Sequence, residues 1–189
     1  MRAVFLKAPE GFLEERRRLG HDRWDEVWSG VLHMVPPPSS EHQWVGSQLL
    51  VALAQVARQQ GLRGSYETGV FRPGREDRDY RVPDLVYYRK EQATDRGVVG
   101  RAELVIEILS PDDESRDKLP FYAELGIPEV WLVDPQTRQV ELYLLRGAAY
   151  HVALPDAEGA LRSPALGVTL RTLPGPHLAV VTADATTEI

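Results

Sequence analysis

The run Ala102-Glu103-Leu104-Val105-Ile106-Glu107-Ile108-Leu109 constrains this chain more than any other. Its apolar, β-branched side chains do not alternate with polar ones, so it reads as a strand covered on both faces. Glu107 interrupts that pattern, and an ionised carboxylate in such a place is unstable unless a positive group meets it. A second run, Glu129 to Val133, reads as another strand, and a short helix over about Asp117–Leu125 lies between the two. A strand–helix–strand step of this length implies a parallel, right-handed crossover, hence an α/β sheet with helices packed on it.

At 189 residues and 43% hydrophobic content, the chain can bury a substantial core. A single domain over 1–189 is expected, with a core at about 39–146, an N-terminal helix and hairpin at 1–38, and C-terminal strands and tail at 147–189. No run reaches the length of a membrane-spanning helix, and Met1 to Pro9 is too short and too soon broken for a signal peptide. Without cysteine there are neither disulfides nor thiolate metal sites, which fits a cytoplasmic location. The formal net charge of −6 argues against a protein that coats nucleic acid nonspecifically, but not against a nuclease whose substrate contact is local. Basic residues are skewed to three lysines (Lys7, Lys90, Lys118) against nineteen arginines, which singles out Lys118.

Pro9 to Gly20 reads as helical and Arg23 to Val35 as a hairpin around Ser29-Gly30. After Pro36-Pro37-Pro38, Ser39 and Ser40 offer caps for a helix over about Glu41–Gln60, whose apolar face holds Val45, Leu49, Ala52, Leu53 and Val56. Strands are expected at Tyr66–Phe71, 82–88 and 102–109, with the polar stretch 72–81 as a loop or hairpin tip and a charged connection before the third. Beyond Glu129–Val133, strands are expected at Gln139–Leu145 and Ala149–Leu154 and one more near Gly167–Leu170, with a frayed tail after Thr182.

Asp84 follows Pro83, whose fixed backbone and missing N–H suit a strand start and help aim the next side chain. Glu107 comes late in its strand, where ligands collect in open α/β sheets. For either acid alone, a structural ion pair is the simpler reading. Two hard carboxylate oxygens on adjacent strands nevertheless suit Mg²⁺ or Mn²⁺. On a helical wheel, Tyr122 and Leu125 fall within about 40° of Lys118 and Phe121 about 60° away, so the lysine stem points along the face that packs on the sheet. Pro120 belongs in a first turn, which puts the helix cap near Asp117 and Lys118 at its first position. There the ammonium either snorkels to water or stabilises charge on a phosphoryl group.

Pro83-Asp84 followed by Glu107-Ile108-Leu109 resembles the restriction-endonuclease-like PD-(D/E)XK superfamily, whose common core has the order αβββαβ. The set Glu107-Ile108-Leu109-Ser110-Pro111, Lys118-Leu119-Pro120-Phe121-Tyr122 and Gly126 to Pro135 is similar to the Uma-two family of endonucleases, as are Asp25 to Gly30 and His42. The resemblance covers about residues 20–146. It implies Asp84 and Glu107 as metal ligands, Mg²⁺ or Mn²⁺ as cofactor, DNA as substrate and a homodimer. Leu109 stands where the superfamily has its usual lysine, and the resemblance moves that role to Lys118. It also makes Glu26 of the hairpin a candidate catalytic acid that could reach the metal, the alternative being a solvated strand residue.

Rival functions are a catalytically inactive nucleic-acid-binding or structural dimer of the same fold, and a hydrolase of a smaller phosphate ester. Among secondary candidates, His42 opens a helix and could line the cleft, Glu67 is a weaker acid of the same kind, and Ser110 could bond a site carboxylate or simply cap a turn. Arg72, Arg75, Arg78 and Arg81 could meet phosphates, although Glu76, Asp77 and Asp79 between them make a solvated, self-paired loop the simpler reading. His21, His33, His151 and His177 have no ligand spacing. Trp131 reads as core, and Leu142, Leu144, Tyr150 and Val152 as sheet extension or dimer surface.

Overall fold

The computed structural model describes residues 11–20, 22–111 and 114–189. Helix α1 (Phe12–Arg18) leads to the hairpin β1 (Glu26–Trp28) and β2 (Val31–His33). Helix α2 (Ser40–Gln59) follows, then β3 (Arg63–Tyr66), β4 (Val70–Phe71), β5 (Tyr80–Arg81), β6 (Leu85–Tyr88), β7 (Ala93–Thr94), β8 (Gly97–Val99) and β9 (Leu104–Ile108). A 3-10 turn, Ser115–Lys118, runs directly into α3 (Leu119–Glu124). Strands β10 (Glu129–Val133), β11 (Val140–Arg146), β12 (Ala149–Val152), β13 (Ala160–Ser163), β14 (Val168–Leu173), β15 (His177–Val181) and β16 (Thr186–Glu188) come after it.

The central sheet has the order β12-β11-β10-β9-β6-β3. Strands β9 and β10 pair in parallel, as the crossover through α3 requires, and their neighbours are antiparallel. The series α2-β3-β6-β9-α3-β10 is the αβββαβ order expected from the sequence. All five positions of β9 and of β10 are buried, because both faces are covered. On one face Leu85, Tyr87, Leu104, Ile106, Ile108 and Trp131 pack with α2 through Val45, Leu49 and Leu53. On the other, Val86, Val105, Val130 and Leu132 pack with Phe121 and Tyr122 of α3 and with Val70 and Val98. Glu107 belongs by alternation to this second face, the one that carries α3.

Helix α2 starts where Ser39 accepts the His42 N–H at 3.2 Å, and it ends before Gly61, whose φ of 72° only a glycine adopts at low cost. Gly46 lets this helix approach the sheet, since a Cβ there would lie 2.6 Å from the Tyr66 hydroxyl and 2.9 Å from Ile108 Cδ1.

Several expectations need correction. The strand expected over Tyr66–Phe71 is two strands in different sheets, split at Glu67, whose φ of 46° breaks the extended run. The 82–88 strand begins only at Leu85, and Tyr80–Arg81 is a separate strand. The polar stretch from Arg72 is the tip of a hairpin whose arms are the antiparallel β4 and β5, and the charged connection before β9 holds β7 and β8; with the N-terminal hairpin they form a second sheet of order β2-β1-β5-β4-β8-β7. Lys118 ends the 3-10 turn and stands at the cap position of α3, so the helix begins one residue later than expected. The C-terminal region holds a four-stranded sheet, β13-β14-β15-β16, and Ile189 is buried with the α2 face instead of fraying. Leu142, Leu144 and Tyr150 lie in strands that extend the central sheet, and Trp131 is fully buried. The expected helix start at Pro9 and His21 lie outside the described residues. Among the described residues no helix is long and apolar enough to cross a membrane.

Candidate active site

Glu107 is 3% exposed, and each of its oxygens meets a donor from the turn and helix that follow β9. Lys118 Nζ lies 3.1 Å from Oε2, and the Tyr122 hydroxyl donates to Oε1 at 2.6 Å. The 3-10 turn brings Lys118 to this face, and the four-residue spacing to Tyr122 keeps the two side by side. Burial pushes the Glu107 carboxyl up to about 8 against the pull of Lys118, with Asp84 and then Glu26 adding to the push. Burial works against the Lys118 ammonium, yet Glu107, Glu26 and Asp84 outweigh it and raise its pKa. Two carboxylates, Glu107 and Glu26, contact the ammonium directly.

Glu26 reaches the same ammonium from β1. Its Oε1 lies 2.9 Å from Lys118 Nζ and also accepts the Val82 N–H at 2.8 Å, while Oε2 accepts the Trp28 indole N–H at 2.7 Å. Only 1% of Glu26 is exposed.

Asp84 stands one residue before β6. The register pairs Leu85 with Ile106, so one further rung would set Asp84 opposite Glu107. The rung is completed by the side chain instead of the backbone: Asp84 Oδ2 accepts the Ile108 N–H at 2.7 Å. His42 Nε2 lies 3.4 Å from the same oxygen. Burial alone would lower the His42 pKa, but its hydrogen bond to Asp84 and that residue's charge hold it above the ordinary value. His42 Nδ1 is buried with no hydrogen-bond partner among the described residues.

The four residues singled out from sequence, Asp84, Glu107, Lys118 and Glu26, thus converge at one end of the central sheet, with His42 beside Asp84. Glu67 does not join the Lys118 cluster. It accepts from Gln43 at 2.8 Å and pairs with Arg23 at 3.1 Å, while its N–H donates to the Asp84 carbonyl at 2.8 Å. The arginine series does not converge there as a phosphate-binding row. Arg72 is held by Asp79 and Glu124, and Arg81 is buried with Asp79 rather than solvated. His33, given no role from sequence, stacks on Trp28 at 4.1 Å and pairs with Glu114 at 3.0 Å. Sequence reasoning also passed over Tyr122 as a site residue, although the helical wheel had placed it beside Lys118.

Asp84 and Glu107 carry, on adjacent strands, the hard oxygens that a divalent cation takes, with both Glu107 oxygens bonded to Lys118 and Tyr122 and Asp84 Oδ2 to the Ile108 N–H. Glu26 and Glu107 share one ammonium, and Asp84 is met by His42. Among the described residues no three His, Asp or Glu side chains are spaced to hold an ion alone.

Residues 13–175 match the Uma2 (Uma-two) family, described as "Putative restriction endonuclease". The fold is similar to the crystal structure of a "putative nuclease belonging to DUF820" from Anabaena variabilis, with a TM-score of 0.60 and 20% identity over 76% of this chain and 83% of that one. That likeness is one of fold: a mixed α/β sheet with a restriction-endonuclease-like core. No match was found among curated proteins.

Proposed function

The chain belongs to the Uma2 family, and we propose that it is a metal-dependent endonuclease that hydrolyses phosphodiester bonds in DNA. The observation that carries this reading is the convergence of two strand carboxylates and one buried ammonium, with Lys118 Nζ 3.1 Å from Glu107 Oε2 and Asp84 on the adjoining rung. Asp84 and Glu107 would hold Mg²⁺ or Mn²⁺, which supplies Lewis acidity at the phosphoryl group when bound. Lys118, kept charged by its neighbours, orients the attacking water and stabilises charge developing on the phosphoryl oxygens. Tyr122 fixes the Glu107 carboxylate, and Glu26 assists from the hairpin. With a net charge of −6, DNA is met through local contacts, and a homodimer would present two such sites to the two strands. A cytoplasmic protein without cysteines fits this role.

One observation favours a second reading, a nucleic-acid-binding or structural dimer without turnover: both oxygens of Glu107 already have protein donors. Supercoiled plasmid incubated with Mg²⁺ or Mn²⁺ decides between the two. The proposal expects nicking by the wild type and none by Asp84→Ala, Glu107→Ala or Lys118→Ala. Wild-type protein that leaves the plasmid intact favours the inactive dimer. Turnover of generic small phosphodiesters but not duplex DNA indicates a phosphate-ester hydrolase instead.

A further inference from the structure

We infer that Glu26, supported by Trp28, is a positioning residue that fixes the Lys118 ammonium from the β1–β2 hairpin and takes no part in binding the ion. Its two oxygens are already committed. Oε1 takes the Val82 N–H and the ammonium, and Oε2 takes the indole N–H. Glu107 is as fully occupied, but it stands on the rung beside Asp84, whereas Glu26 comes from the hairpin and meets only the ammonium, a backbone N–H and the indole, which makes it an anchor.

Lysine needs such an anchor. Its four-carbon stem is flexible and its head is a point charge, so a single bond to Glu107 would leave the ammonium free to swing. Two carboxylates, from the hairpin and from β9, fix it. An ammonium has three N–H donors. Glu26 and Glu107 engage two, which leaves the third for a water or a phosphoryl oxygen.

The anchor is itself secured to the helix that follows Lys118. Arg81 lies between the rings of Trp28 and Phe121, its guanidinium carbon 4.4 Å and 4.1 Å from their centroids. Its Nη1 donates to the Val27 carbonyl at 3.0 Å, and Val27 pairs with Tyr80 across the sheet. Hairpin and α3 are thus tied by a stacked cation, which keeps Glu26 in register with Lys118.

The kinetic part of the test rests on the nuclease reading, and the spectroscopic part does not. Because the chain has only three lysines, ¹⁵N-lysine labelling gives a simple ammonium spectrum, and Lys118→Met assigns the signal. The wild type should show Lys118 as a signal protected from exchange with water, and Glu26→Gln should lose that protection. Mn²⁺ affinity by calorimetry should stay within about twofold, while kcat falls about 10- to 100-fold at unchanged KM, the loss typical of a residue acting through another. Trp28→Phe keeps the stack, removes only the indole donor, and should give a smaller loss of the same sign; it carries the test should Glu26→Gln fail to fold. Mn²⁺ affinity falling as far as in Glu107→Gln would make Glu26 an ion ligand and overturn the inference. An unchanged ammonium signal would overturn it too. Should the wild type cut no DNA, the nuclease reading fails, and the ammonium spectrum still judges the anchor.

Discussion

The carboxylate of Asp84 accepts the backbone N–H of Ile108 at 2.7 Å, so an acid just before β6 closes the end of β9. One side chain therefore serves the sheet and faces the site. Asparagine keeps an acceptor for Ile108, whereas alanine leaves a buried N–H unpaired. Asp84→Ala should lose about 1–3 kcal/mol in urea denaturation, and Asp84→Asn clearly less. Both should lose Mn²⁺ affinity in calorimetry. Equal destabilisation by the two variants would mean that the Ile108 bond is not the structural contribution.

Lys118 is the shared counter-ion of Glu26 and Glu107. Replacing it with methionine leaves two buried acids unpaired, at a cost of about 3–5 kcal/mol. Adding Glu107→Gln removes one of those charges, so the double variant should recover part of the loss. A thermodynamic cycle in denaturant measures that coupling, and additive losses would show that the pair contributes none. Lys118→Arg should not restore the wild-type stability, because a planar guanidinium does not fit between two carboxylates arranged around a compact head.

How far the site could be read in advance depended on what each residue's neighbours in sequence reveal. Glu107 stood out because it interrupts the otherwise apolar β9, and a strand covered on both faces leaves that signature. Lys118 was legible because the turn of helix after it has a readable apolar face. Glu26 was legible only as an acid in a hairpin, since its partners Val82 and Lys118 lie 56 and 92 positions away along the chain. Tyr122 was placed on the right face, but nothing in a helical period separates a hydrogen-bonding phenol from a core aromatic. The second sheet went unseen because β4, β5 and β7 are two residues long and carry no period. In the C-terminal sheet, turn residues dominate the composition and hide the strands between them.

Asp79 supports a pH prediction. Burial would raise its pKa, but Arg72, the Ser29 N–H and Arg81 outweigh that and hold it below the ordinary value of 3.8. Because the folded-state value is depressed, the stabilisation is present above pH 3.8 and is lost as pH falls through the lower folded value. Asp79→Asn should thus cost about 1.5–3 kcal/mol near neutrality, the range for hydrogen bonds to a charged group. The gap between variant and wild type should close in acid. Denaturation curves collected from pH 2 to pH 7 test this, and a gap that stays constant would assign the effect to packing.

Ile189 is 4% exposed and exchanges two 2.9 Å backbone hydrogen bonds with Leu178. Its side chain joins the cluster that includes Leu49, Leu53 and Trp131, so the last strand closes the α2 face of the core. Ile189→Ala should therefore cost about 2–5 kcal/mol, as removal of a buried isoleucine side chain does. The neighbouring Glu188 is exposed and pairs with His177 at the surface at 2.9 Å, an interaction worth little in water. Glu188→Ala should stay within about 0.5 kcal/mol of the wild type. Equilibrium unfolding of the two variants side by side separates the contributions. Indistinguishable midpoints would mean that the end of the chain is not part of the cooperative core, and that its burial adds nothing to the sheet beneath.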